Sequence, residues 1–218
     1  VYRNPPSLGF KWSEVSFQRY PRIWDESLAM NWILNTAFIA VVSSLLAILV
    51  AVPAAYALSR YRYRFASVTG YVLLTTRMMP LTLLIIPMYT VFGKMGLLDN
   101  LASVIIANLA YILPFAIWIL KEFFDSLPPE LDEAAGIDGC SVLGILRHIL
   151  LPLSLPGIGA TVIYSFVRVW GEFLFANTFI NSPEKMTVTV GAQLYAGSLH
   201  VSWGDIMTVT TMGILPIV

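Results

Sequence analysis

A chain of 218 residues that is 57% hydrophobic and 12% charged, with a mean hydropathy of +0.75, reads as an integral membrane protein, since about a quarter of the residues of a soluble domain carry charge. A net charge of zero, without aromatic residues interleaved among basic ones, excludes a nucleic-acid surface. The single cysteine, Cys140, excludes an internal disulfide and suits a reducing compartment.

The chain opens without an initiator methionine and without the basic, apolar and cleavage regions of a signal peptide. Residues 1–31 are polar and aromatic and contain the pair Pro5 and Pro6, which predicts an extramembrane loop ahead of a membrane domain over 32–218. Crossing a hydrocarbon core of about 30 Å takes roughly 20 helical residues. The uncharged stretch from Ser27 to Ser59 predicts a first span over Ile33 to Leu58. Arg60, Arg62 and Arg64 then crowd a short connection, a cytoplasmic mark by the positive-inside rule, although Arg3, Lys11, Arg19, Arg22, Lys94 and Lys185 fall on the opposite side. A second span is predicted from Tyr71 to Phe92, carrying Arg77; within it Pro80 and Pro87 would free the carbonyls of Thr76 and Leu83. Asp99 and Asn100 suit a turn end and a helix cap before a third span from Asn100 to Leu120. A fourth is predicted from Pro152 to Ala176, and a fifth from Asp205 to the last residue, Val218. The expected fold class is therefore an all-α, polytopic transmembrane bundle, one domain without internal repeats.

Between the third and fourth spans lies a charged, glycine-punctuated break over about 122–151. Pro128 and Pro129 suit a helix start, and Glu130, Asp132 and Glu133 then complement the positive end of the dipole. Leu131, Ala134, Ala135 and Asp138 share one face, whose alanines would let another backbone approach. Gly139 is placed to end this helix, of about nine residues and roughly 13 Å, and Ser141 to cap the next.

This break, Glu133, Ala134, Ala135, then Gly139, Ile149, Leu151 and Pro152, resembles the cytoplasmic coupling loop of ABC importer permeases, with every fixed position matched. Gly136 and Asp138 lie within the same motif. The segments AAYALSRYRYRF, TRMMP, IIPMY, LPFAIWILKEFF, EFLFA and SPEKMTVTVG, in that order, resemble the carbohydrate subgroup of the maltose-transporter type. Where that family often has Trp-Asn-Glu-Phe, this chain has Trp170, Gly171, Glu172 and Phe173. The resemblance implies an inner-membrane permease, bacterial or archaeal, with about five visible spans of six, the first helix and the end of the last being absent. It implies a second permease subunit, alike or different, two ATP-binding subunits that hold ATP and Mg, an extracytoplasmic solute-binding protein, a sugar substrate and surrounding lipid. The sequence has no GxxxxGK[ST] loop, so ATP hydrolysis is expected on a partner chain and this chain needs no cofactor of its own.

Intramembrane charge is the first place to seek a solute path. Arg77 beside Pro80 is one candidate, with structural pairing across a helix interface as the alternative. Phe166, Trp170 and Phe173 approach a stripe that could stack on sugar rings or simply sit at the membrane interface. Arg168 and Glu172, four apart, would share a helix face and form an outer gate. His148 and His200 lie apart with no HExxH or CxxC, so no metal site is expected, and no GxSxG elbow supports nucleophilic catalysis. A permease for amino acids, phosphate or polyamines, and an intramembrane enzyme using Arg168 and Glu172, stand as alternatives.

Overall fold

The structure, a computed structural model, describes residues 19–26, 28–61, 66–76, 78, 80–196 and 203–217. Its helices are α1 (Arg19–Glu26), α2 (Ala29–Arg60), α3 (Ala66–Thr76), α4 (Leu81–Lys94), α5 (Leu101–Asp125) and α6 (Glu130–Ile137). They continue with α7 (Val142–Leu153), α8 (Leu155–Trp170), α9 (Leu174–Phe179), α10 (Val188–Leu194) and α11 (Trp203–Ile214). No strand occurs among the described residues, which agrees with the all-α expectation.

Two helices, α2 with 32 residues and α5 with 25, are individually long and apolar enough to cross a membrane. They contain the expected first and third spans, apart from Asn100, whose side chain instead accepts a hydrogen bond from the Ala102 amide at 2.9 Å as a cap. The surface of α2 is inside-out compared with a soluble helix. Ala40, Ser44, Ala47, Ala51 and Ala55 are buried along one face, whereas Leu34, Phe38, Val41, Leu45 and Leu49 are exposed. Small residues let helices approach closely, and a lengthwise apolar stripe is stable only against lipid or another apolar surface.

The predicted span from Tyr71 to Phe92 is not continuous. It divides into α3 and α4, with Pro80 between them and the Met78 amide closing a turn on the Thr75 carbonyl at 3.0 Å. Proline lacks the amide needed to continue the ladder and drives the preceding residue toward extended backbone. The Thr76 carbonyl is thus at a helix end rather than freed within a span, while Pro87 stays inside α4. The predicted span from Pro152 to Ala176 also differs. The α7–α8 pair is bent by 78°, with Ser154 leaving helical geometry at φ −94° and ψ 5°, and α8 ends at Trp170. Counted as one broken span, this pair makes a third crossing, and the 14-residue α4 is a shorter apolar helix. Pro156 explains the break, since it cannot donate to the Pro152 carbonyl. Pro152 likewise accounts for the π-helical turn Leu146–Leu150, in which the Leu151 amide reaches the Leu146 carbonyl, because its ring crowds the His148 carbonyl four residues before it.

The chain forms two compact units. The first comprises Val1–Ile39, Ile85–Val104 and Trp170–Val218. Its core joins α1, the start of α2, α10 and α11 through Ile23, Ala29, Trp32, Val188, Val209 and Met212. Trp32 Nε1 donates to the Pro183 carbonyl at 2.7 Å, and the Thr36 hydroxyl accepts the Val188 amide at 2.9 Å. Asp99, in left-handed backbone at φ 56°, fastens the turn after α4 to the segment after α9. Its amide donates to the Phe179 carbonyl at 2.7 Å, and its carboxylate accepts the Asn181 and Ser182 amides at 3.0 and 2.8 Å and the Lys185 ammonium at 2.8 Å. This does more than the turn end expected of Asp99. The Lys185 ammonium, and after it Ser182, hold the carboxyl well below the usual carboxylate range.

The second unit comprises Ala40–Leu84 and Ile105–Val169. Its core takes Val52, Ala55 and Tyr56 from α2, Ile117, Leu120 and Phe124 from α5, Ala135 from α6, and Ile145, Leu146 and Leu150 from α7. Gly157 permits a close approach: a Cβ there would lie 2.5 Å from the Phe123 ring.

Gly157→Ala should therefore lower the melting temperature of the purified protein, by overpacking worth about 1–3 kcal/mol, and Phe123→Leu should recover part of the loss. Because Asp99 ionises at lower pH folded than unfolded, its stabilisation is full above about pH 4 and is lost as pH falls further. Thermal melts should show that Asp99→Asn lowers stability at neutral pH, with the gap from wild type closing as the pH drops below that value.

Candidate functional site

The best-formed local structure in the break is α6 and its exit. Glu130, Asp132 and Glu133 occupy the first turn behind Pro129, as expected. At the other end Gly139, at φ 82°, adopts left-handed backbone, its amide reaching the Gly136 carbonyl at 3.1 Å while the Cys140 amide reaches Ala135 at 3.0 Å. This paired closure satisfies carbonyls that an ending helix would leave bare. The Ser141 hydroxyl accepts the Gly144 amide at 3.2 Å and opens α7.

The motif residues then divide by direction. Ala135 is buried in the second unit's core, and Ile149 and Leu151 are half-buried against it. The expectation that both alanines would face a partner is corrected: only Ala134 is exposed, because the helical turn that points Ala135 inward leaves Ala134 outside. Glu133, Gly136, Asp138, Gly139 and Pro152 are also exposed. Beside them stand Ile137, 87% exposed, and Leu143, 71% exposed. Two large apolar side chains presented so openly on a capped, anchored helix pair suit a protein-docking surface.

The anchor comes from the end of α2. Arg60 Nε pairs with the Asp132 carboxylate, Arg60 Nη2 donates to the Leu127 carbonyl at 3.1 Å, and Ser59 Oγ donates to Asp125 Oδ1 at 2.5 Å. Sequence reasoning took Arg60 only as a topological mark and Asp132 only as a dipole partner. No local signal joins them, since they lie far apart in the chain. Arg62 and Arg64 lie outside the described residues.

The candidate path residues are less well gathered. Arg77 lies outside the described residues, and Pro80 is exposed between α3 and α4. Trp170 is 3% exposed, with Nε1 donating to the Gly213 carbonyl at 2.8 Å, so it packs within the chain instead of offering a stacking face. Phe173 does not continue a stripe from Phe166, because α8 has ended and Phe173 precedes α9. For the same reason Arg168 and Glu172 do not share a helix face. The Glu172 carboxylate accepts the Phe175 and Ala176 amides at 2.7 and 3.2 Å, capping α9. Arg168 donates to the Tyr111 hydroxyl at 3.0 Å, its guanidinium 5.6 Å from that ring's centre. One turn along both helices, Phe115 and Tyr164 meet with ring centres 4.7 Å apart. Residues four apart on α5 and four apart on α8 thus build one strip of aromatic rings ending in a cation, with half-buried Phe166 on the same helix as Tyr164.

His148 Nδ1 lies 3.1 Å from the Gly144 carbonyl, and His200 lies outside the described residues. Among the described residues no three or more His, Cys, Asp or Glu gather to hold a metal.

Residues 43–218 match the family described as the inner membrane component of binding-protein-dependent transport systems. The chain is 33% identical over 186 residues to the sulfoquinovosyl glycerol transport system permease protein SmoH of Agrobacterium fabrum, covering 85% of this chain and 65% of that one. It is 31% identical to the inner membrane ABC transporter permease protein YcjP of Escherichia coli, over 87% of this chain and 68% of that one. The maltodextrin transport system permease protein MdxG of Bacillus subtilis is 31% identical, over 83% of this chain and 65% of its own length. The chain thus spans about two thirds of the length of these relatives. In fold it is similar to a bacterial ABC transporter involved in import of the acidic polysaccharide alginate, with a TM-score of 0.79, 24% identity and coverage of 94% of this chain and 76% of that one. It is also similar to the MetNI methionine ABC transporter in an inward-facing conformation, with a TM-score of 0.72, 19% identity and 93% of both chains covered. With a helical fold and apolar spans, the chain belongs to the family of inner membrane components of binding-protein-dependent transport systems, whose members are transport subunits rather than enzymes.

Proposed function

We propose that this chain is the membrane-spanning permease subunit of an ATP-driven importer that carries a sugar or related polyol across the cytoplasmic membrane of a bacterium or archaeon. The observation that carries the reading is α6 and its flank: held inward by Ala135 and Arg60, it turns Glu133, Ile137 and Leu143 outward. Such an element receives force. The chain lacks a phosphate-cradling loop of its own, so the force comes from two partner subunits that bind ATP and Mg on the cytoplasmic side. A second permease, identical or different, completes the path, and an extracytoplasmic binding protein delivers the solute.

The sugar assignment draws support from the relatives named for sulfoquinovosyl glycerol and maltodextrin transport. It also draws support from the strip of Tyr111, Phe115, Tyr164 and Arg168, because ring faces stack on sugar rings and a guanidinium can donate to hydroxyl or acidic groups. Fold alone does not choose the solute, since a methionine transporter shares it. A permease for an amino acid or another small solute is therefore the competing reading.

Copurification and uptake test both levels. The chain should bring down an ATPase and a second permease, and reconstituted vesicles should take up members of a mono-, di- and oligosaccharide panel only with ATP; uptake of amino acids alone would favour the competitor. Glu133→Lys and Ile137→Asp should each reduce ATPase recovery by about tenfold, the loss of one buried interface contact or charge pair, and undiminished recovery would remove α6 from the docking surface. Arg168→Ala should raise the KM for sugar about tenfold, with Arg168→Lys intermediate because a lysine lacks the planar fork. An unchanged KM would take the aromatic strip out of the path.

A further inference from the structure

We infer that the Arg60–Asp132 ion pair is the positioning link through which a displacement of α6 becomes a displacement of α2, an inference that rests on the proposed function. Backbone continuity ties α6 to α5 on one side and to α7 on the other. It gives α2 no share in that motion. The end of α2 shares an apolar core with α6, where Val52, Ala55 and Tyr56 cluster with Ala135, and meets it through the charges of Arg60 and Asp132. Arg60 also reaches the Leu127 carbonyl just before α6 at 3.1 Å, and Ser59 reaches Asp125 at the end of α5 at 2.5 Å, with Lys121 holding the second oxygen of Asp125 at 2.5 Å.

Three features suit this set to carrying load. The Arg60 and Asp132 side chains are only 12% and 16% exposed, so water and salt screen them little, whereas the Lys185–Asp99 pair is 42% and 29% exposed. Arg60 is held twice, its Nε paired by charge with the α6 carboxylate and its Nη2 donating to the carbonyl in the connection before it, so one guanidinium ties the end of α2 to both α6 and its approach. Each charge also sits where its own helix favours it, Arg60 in the last turn of α2 and Asp132 in the first turn of α6. The acidic turn is thereby divided in its tasks: Glu130 and Glu133 stay exposed for a partner, while Asp132 turns back to α2.

The test uses the complete importer in proteoliposomes, reading sugar taken up per ATP hydrolysed alongside ATPase copurification. Arg60→Gln and Asp132→Asn should each lower uptake per ATP about fivefold with copurification retained, Arg60→Lys should be intermediate, and the reversal Arg60→Glu with Asp132→Arg should regain about half, incompletely because both charges then oppose their helix dipoles. Unchanged uptake per ATP in the single variants overturns the inference, as does a reversal no better than they are, or single variants that lose copurification itself. A wild-type chain that fails to recover any ATPase removes the proposed function and this inference with it. A wild-type complex whose variants are indifferent removes the inference alone.

Discussion

The second unit depends on how one short helix is fastened. Helix α6 has 8 residues, too short to be stable by itself, and its form comes from caps and packing. The closure at Gly139 and the acidic first turn define its two ends, Ala135 fixes its rotation, and the Arg60–Asp132 pair fixes its position along α2. Once Ala135 points inward, Ile137 must project, because residues two apart on a helix differ by about 200° in direction. The apolar tip is therefore a geometric result of the anchor, and in the proposed function it is the place where a nucleotide-hydrolysing partner pushes.

The membrane environment shapes the remaining helices through proline. Pro80 separates α3 from α4, and Pro152 and Pro156 bracket the bend at Ser154, with the π turn absorbing the first of these. In water, freed carbonyls at such breaks would be solvated at little cost. In a bilayer they need protein partners or a polar cavity, so broken helices in a transport protein mark regions where backbone faces something other than lipid. The strip from Tyr111 to Arg168 lies on α5 and α8, the second of which begins at one of these breaks.

Legibility followed the range of the interactions. Gly139, Ser141 and Asn100 were readable because a cap is settled within a few residues. The interior of α2 was readable because its apolar run exceeds what any loop could hold. Pro80 and Pro87 could not be told apart from sequence: the same residue ends one helix and is tolerated in the next, so surroundings and not intrinsic preference decide. Trp170 was misread because the carbonyl that holds its indole is 43 residues away. Arg168 and Glu172 were misread because a spacing of four has meaning only inside a helix, and α8 ends between them at Trp170. The Arg60–Asp132 pair is illegible in sequence for the same reason as the Trp170 contact, since its two members lie far apart in the chain.

Pulsed electron paramagnetic resonance between spin labels at Tyr61, exposed just after α2, and Ile137, exposed at the end of α6, tests most directly whether these helices move as one body in the working complex. The account predicts a single narrow distance that shifts by less than about 2 Å between nucleotide-free and ATP-bound states, while label pairs spanning the two permease subunits change by more. A Tyr61–Ile137 distance that broadens or changes by several ångströms on ATP binding would contradict it.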